Sequence, residues 1–259
     1  MTTMNAQSID DARARAYTAL AFALDRPDDD LEVAIEGGDL SAILDDVATT
    51  LDLEAFERAA ADIEDTQPSI GELSEAYADA FGLEGDGEVS LYELAYAPGT
   101  LVTNTDQLAD IAGFYRAFGL DIVETSRDRA DKLAIELEYL GFLGFRREQY
   151  NGEGDDEGLE IVEEATQAFL EDHVGRWIPR LVEVAHDEGV HPLYRSLLEA
   201  LGGLVEADVE RFDADPIVFE ATPTAPLESI TDFDDTAGRL ELSCGVTPPT
   251  ATQQHPSEP

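Results

Sequence analysis

The chain has 259 residues, enough for one large domain or one domain with a tail, and carries 58 acidic against 15 basic residues, a net charge of −43. That balance argues against a phosphate-binding face, which needs clustered Lys and Arg. The single cysteine, Cys244, excludes an internal disulfide and a Cys-rich metal centre.

Two physical states are compatible with such acidity: a disordered, self-repelling chain, and a folded protein working in concentrated salt. Hydrophobic residues make up 43% of the chain and recur at helical spacing, which favours a folded core. At molar salt the Debye length falls to ~3 Å and surface repulsion is heavily screened. Lys132 is the only lysine, the other basic residues being arginine, as expected where long apolar stems on the surface are penalised. The acidity is therefore read as adaptation to a salty solvent and says little about a basic partner. No run approaches the ~18 apolar residues of a membrane span, and the amino terminus lacks a cationic segment followed by an apolar one. The expected location is the cytoplasm, with no membrane insertion.

In chain order, a first helix is expected from Ser8, with Asp10 and Asp11 in its first turn and Ala16, Tyr17, Leu20 and Leu24 on one face, ending at Pro27. Short helices follow near 28–36, 40–51 and 53–63, separated by Gly37-Gly38 and Asp52. Ser69 with Glu72 has capping-box spacing, and Leu73, Tyr77, Ala80 and Phe81 share the face of the helix it opens. Residues 82–103 read as a long loop, a feature that compact domains seldom keep without a use. Asn104 or Thr105 caps a helix ending near Phe118-Gly119.

The segment 127–150 is the most apolar and belongs at the centre of a bundle, with Gly141 and Gly144 allowing a neighbouring helix to come close. Residues 151–158 read as a loop of glycine and acids. A helix then runs over 159–186, bent or split near Pro179, and a last one over 192–212. The fold class is all-α: a single helical bundle over 1–212, followed by an acidic, Pro/Thr-rich tail over 213–259, partly disordered or packed on the bundle.

Few residues suggest chemistry. The stretch 82–93 partly matches a calcium loop, with Glu84, Asp86, Gly87, Val89 and Glu93 at ligand or turn positions, but Gly82 supplies no oxygen where the first ligand belongs. No histidine pair has zinc spacing, so no metal and no cofactor is assigned. His173 and Trp177 are four residues apart, on one face with Phe169 and Leu170, and read as a packed core pair. Glu136 and Glu138 lie inside the apolar central helix, so each needs the surface, a groove, or an arginine such as Arg116, Arg129 or Arg146. No phosphate loop or nucleophile elbow is present, and nothing supports an enzyme.

Four stretches taken together resemble the TorD/DmsD/NarJ family: Glu88–Glu93, Gln107–Gly119, Asp128–Leu140 and Phe169–Pro179. They occur in the family's order, within a similarity that covers about 8–212. The resemblance implies an all-helical, TorD-like fold. It also implies a dedicated cytoplasmic chaperone for the catalytic subunit of a dimethyl-sulfoxide-reductase-type molybdoenzyme. Such a chaperone binds the partner's amino-terminal segment, often a twin-arginine export signal, until the molybdopterin cofactor is inserted.

Carried over by position, the family's Pro-x-Asp-His turn falls at Ala130 to Lys132, where Asp131 matches the aspartate; Ala130 stands for the preceding proline and Lys132 for the histidine. The peptide-binding residues the resemblance implies are Tyr92, Glu93, Asp131, Lys132, Glu136 and Glu138, with His173 and Trp177 as a structural signature. The mechanism expected is an apolar segment lying in a groove, its arginines received by Asp131, Glu93 and Glu136. Two other readings stay open. One is an accessory assembly subunit of a nitrate-reductase-type complex that reads no export signal, and the other is a metal-dependent helical hydrolase. The sequence is compatible with a monomer or a homodimer.

Overall fold

Capping residues and glycines divide the chain into helices much as their chemistry requires. The computed structural model describes residues 6–82, 87–98, 101–122 and 128–220. Among them run α1 (Ala6–Ala23), α2 (Asp29–Glu36), α3 (Asp39–Leu51), α4 (Glu54–Thr66), α5 (Ile70–Phe81), α6 (Leu101–Ala117), α7 (Leu133–Glu153), α8 (Asp156–Phe169), α9 (Gly175–Asp187) and α10 (Pro192–Arg211). The described residues contain no strand, only an isolated antiparallel bridge between Tyr92 and Lys132, so the all-α expectation holds.

Ser69 opens α5 with the full capping box, its side chain accepting from the Glu72 N–H while the Glu72 carboxylate accepts from the Ser69 N–H at 3.0 Å. Asp28 caps α2 through the Leu31 N–H, and Gly119, at φ +73°, closes the turn after α6.

Helix α7 lies along α1 at the centre, and α3, α4, α8, α9 and α10 pack around them. The close approach rests on two glycines. A Cβ on Gly141 would stand 2.7 Å from Thr18 Oγ1, and one on Gly144 would stand 2.9 Å from Ala14 Cβ. At one end of this pair, a half-buried ionic network ties four helices. Asp10 receives Arg147 and Arg211, Asp208 receives Arg13 and the Tyr17 hydroxyl, and Arg147 also reaches Glu163. Burial lowers the Arg13 pKa to about 10.

The structure departs from expectation in three places. First, α6 begins at Leu101, before Asn104. Second, the supposed 151–158 loop is mostly helix. Helix α7 runs on to Glu153 and stops at Gly154 (φ +70°), and Asp155 at once caps α8 through the Gly158 N–H. Acids after a cap sit in the first turn of a helix, where the dipole favours them. Third, the irregularity expected at Pro179 falls upstream, in a π turn over Leu170–Val174, where the Gly175 N–H reaches back to the Leu170 carbonyl. A Cβ at Gly175 would stand 2.5 Å from that carbonyl, so the turn requires glycine.

Residues 213–220 lie along α9. Phe219 is buried, its N–H donates to the Arg176 carbonyl at 2.8 Å, and the Arg176 guanidinium covers its ring at 4.4 Å. The rest of the expected tail, with Cys244 and His255, lies outside the described residues, as do residues 83–86 of the partial calcium loop. No described helix is long and apolar enough to cross a membrane.

Candidate partner-binding site

Residues 87–98 bring the first two candidate residues to the amino end of α7. Val89, Leu91 and Tyr96 sink into the core, and the Tyr96 hydroxyl donates to the Ser90 carbonyl at 2.8 Å. Two backbone bonds then join this segment to the turn before α7: Leu133 N–H to Leu91 O at 2.8 Å, and Glu93 N–H to Asp131 O at 3.0 Å. Asp131 completes the seam. Fully buried, its carboxylate accepts from Arg129 Nε at 2.9 Å and Nη2 at 2.5 Å, and from the Leu94 N–H at 3.2 Å. A paired, triply hydrogen-bonded carboxylate of this kind holds backbone in place. The Arg129 guanidinium also lies 4.9 Å over the half-buried Tyr92 ring.

Inside this seam Glu93, Glu136, His173 and Trp177 meet. The first two are fully buried and the His173 side chain is nearly so. With a proton on Nδ1, His173 donates to the Glu93 carboxylate, 3.2 Å from Oε2, and Trp177 Nε1–H donates to Glu136 Oε2 at 2.9 Å. Burial first, then the negative charge of Glu93, push the Glu136 carboxyl well above the usual carboxylate range; the Trp177 bond opposes them. Glu136 Oε1 accepts from no donor among the described residues, and the neighbouring charge of Glu93 bears on the same carboxyl. The rings of Phe114 and Phe169 pack on His173 at 5.3 and 5.0 Å, and Tyr96 lies 5.5 Å from Trp177. His173 and Trp177 thus lie packed in the core, each within hydrogen-bond distance of a buried carboxylate.

Glu136 departs from expectation, since its partners are Trp177 and Glu93 and none of Arg116, Arg129 and Arg146. The carboxylates of Glu93, Asp131 and Glu136 all face inward onto donors of the protein itself. A guanidinium from outside could reach them only if the 87–98 segment came away from α7. Glu93, the last position of the partial calcium loop, is held by His173. Among the described residues, no group of three or more His, Cys, Asp or Glu gathers as a metal site would require.

The other face of α7 opens on a cleft of about 370 Å³. Leu120, Ile122, Ile135 and Phe142 give it apolar walls, and Asp25, Asp121, Asp128 and Glu138 an acidic lining. Lys132 stands among them, its ammonium 2.7 Å from Asp25 Oδ1 and 3.1 Å from Asp128 Oδ2. Burial lowers its pKa, but the two carboxylates outweigh this and hold it above the ordinary lysine value. Glu138 is exposed at the cleft, with its pKa raised by partial burial and by the charge of Asp25.

The eight candidate residues therefore divide in two. Glu93, Asp131, Glu136, His173 and Trp177 are buried and do not line the cleft. Lys132 and Glu138 face into it, and Tyr92 sits beside Lys132 across the bridge. Sequence reasoning missed Asp25 and Asp128. Asp128, four residues before the only lysine, was visible as an ion-pair spacing. Asp25, over 100 positions away, left no local signal.

Residues 44–183 match the family described as the nitrate reductase delta subunit. That span holds all eight candidate residues and more than half the chain. The chain belongs to this family. The resemblance to the TorD/DmsD/NarJ family is borne out by the match. Two relatives extend it. A selenate reductase assembly chaperone protein from Thauera selenatis is 31% identical over 140 residues, covering 54% of this chain and 69% of the relative. A perchlorate reductase assembly chaperone protein from Dechloromonas aromatica (strain RCB) is 23% identical over 222 residues, 81% of this chain and 96% of the relative.

Proposed function

We propose that this chain is a system-specific cytoplasmic assembly chaperone for the catalytic subunit of a molybdopterin-containing reductase, and that it performs no catalysis of its own. The observation that carries this reading is the likeness to an assembly chaperone across 96% of that relative's length. The cleft beside α7 is where the client's amino-terminal segment binds. Its apolar walls suit the apolar part of such a segment, and its acids suit arginines. Glu138 meets the client directly, Lys132 and Tyr92 border the place where it binds, and Glu93, Asp131 and Glu136 hold the 87–98 segment against α7. In strong salt, long-range attraction is screened, so affinity comes from apolar burial and close ion pairs.

The test is a pull-down of tagged protein from host extract in molar potassium chloride, with partners identified by mass spectrometry. Recovery of a molybdopterin-type catalytic subunit retaining its amino-terminal segment is the expected result. Its absence, in cells that express the enzyme, overturns the reading. The family's description as a subunit favours a second reading, an accessory assembly subunit that reads no export signal. Deleting the client's amino-terminal segment separates the two, since capture persists only under the second.

A further inference from the structure

The cleft already contains a cation of its own. Lys132 extends from the amino end of α7 with only 11% of its side chain exposed, and its ammonium bridges two carboxylates from different parts of the chain. Asp25 follows α1, and Asp128 lies in the turn before α7. Among the described residues, Asp121 has a 3.7 Å ion pair with Arg116, and Glu138 stands one turn along α7 from the apolar Ile135 and Phe142. The acidic lining is thus neutralised most closely, among the described residues, by one flexible point charge. A guanidinium fits two carboxylates better, because its planar fork can donate to both at once.

Given the reading that the cleft takes a client segment, we infer that Asp25 and Asp128 form an arginine subsite which Lys132 occupies in the free chaperone and vacates when the client's guanidinium arrives. The four-carbon stem lets the ammonium swing toward solvent while the Lys132 backbone keeps its bridge to Tyr92. The lysine then works as an internal competitor. It balances part of the acidic charge in the empty chaperone, and it sets a threshold that a single stray cation does not cross. It also weakens the apparent affinity for the true client, as any occupied site must.

This account makes Lys132→Met a gain-of-affinity variant, whereas a lysine that touched the client directly would give a loss. The probes are two synthetic peptides, one with an Arg-Arg pair ahead of a Leu/Ala stretch and the other with Gln-Gln in its place, titrated calorimetrically at one fixed salt concentration. Lys132→Met should bind the Arg-Arg peptide roughly three- to tenfold tighter than the unmodified chain and the Gln-Gln peptide no tighter. Lys132→Arg should show no gain, and adding Asp25→Asn and Asp128→Asn to Lys132→Met should abolish it. Circular dichroism establishes that each variant is folded. Unchanged or weaker binding of the Arg-Arg peptide by Lys132→Met overturns the inference while leaving the cleft as the client site. Failure of every variant to bind either peptide overturns the cleft reading and the inference with it.

Discussion

Trp177 gives Glu136 its hydrogen-bond donor from the protein, and Glu136 in turn lies against Glu93, so single substitutions here separate packing from protonation. Trp177→Phe keeps an aromatic ring in the core but removes the N–H. The buried carboxyl oxygen is left without a partner, and a loss of roughly 1–3 kcal/mol is expected in urea unfolding. Glu136→Gln keeps the shape, still accepts from Trp177 and supplies an N–H toward Glu93. Its effect should depend on pH. Because the folded-state pKa of Glu136 is raised, its contribution to stability is complete below the ordinary carboxyl pKa and is lost as pH climbs toward the folded value. Urea midpoints compared between about pH 5 and 8 should therefore show Glu136→Gln gaining on the unmodified chain as pH rises; parallel curves would mean Glu136 is ionised throughout. The spacing of His173 and Trp177 on one helical face was legible, because four residues is one turn. Their partners were not. Glu93 lies 80 positions from His173, and nothing local marks such a pairing. For Glu136 the surface, a groove and an arginine were all open, because a buried carboxylate needs a partner; its donor proves to be Trp177, 41 positions away.

Helix against helix, the fold depends on how near α1 and α7 can come. Gly144→Val places branched atoms where Ala14 already stands, and overpacking of this kind should lower stability by about 1–3 kcal/mol, read as a shift in the urea midpoint at unchanged slope. A midpoint within error of the unmodified chain would show that α1 can move away freely. This contact was readable from two glycines in an otherwise greasy segment. Helix limits were readable where side-chain chemistry acts locally, as at Ser69 with Glu72 and at Gly119. They were misread where that chemistry has two uses. A run of glycine and acids suits a loop, and it equally suits a helix stop followed by a capped start, as at Gly154 and Asp155. The π turn left its mark only in Gly175, whose need for glycine appears once Leu170 is placed behind it.

The molecule as a whole carries a charge of −43, and its response to salt tests whether that charge reflects the solvent. Repulsion among so many carboxylates opposes the compact state and is screened within ~3 Å at molar ionic strength. The urea midpoint should rise substantially between about 0.1 M and 2 M potassium chloride; a flat response would remove the case for a salt-adapted protein. The scarcity of lysine has a consequence for reactivity. Apart from any terminal amine, the chain offers amine-directed reagents one nucleophile, the Lys132 nitrogen inside the cleft. While Asp25 and Asp128 keep that nitrogen protonated and shielded, it should acylate slowly, so the rate at which the protein takes up a single acyl group is a built-in clock for how often Lys132 leaves its two carboxylates.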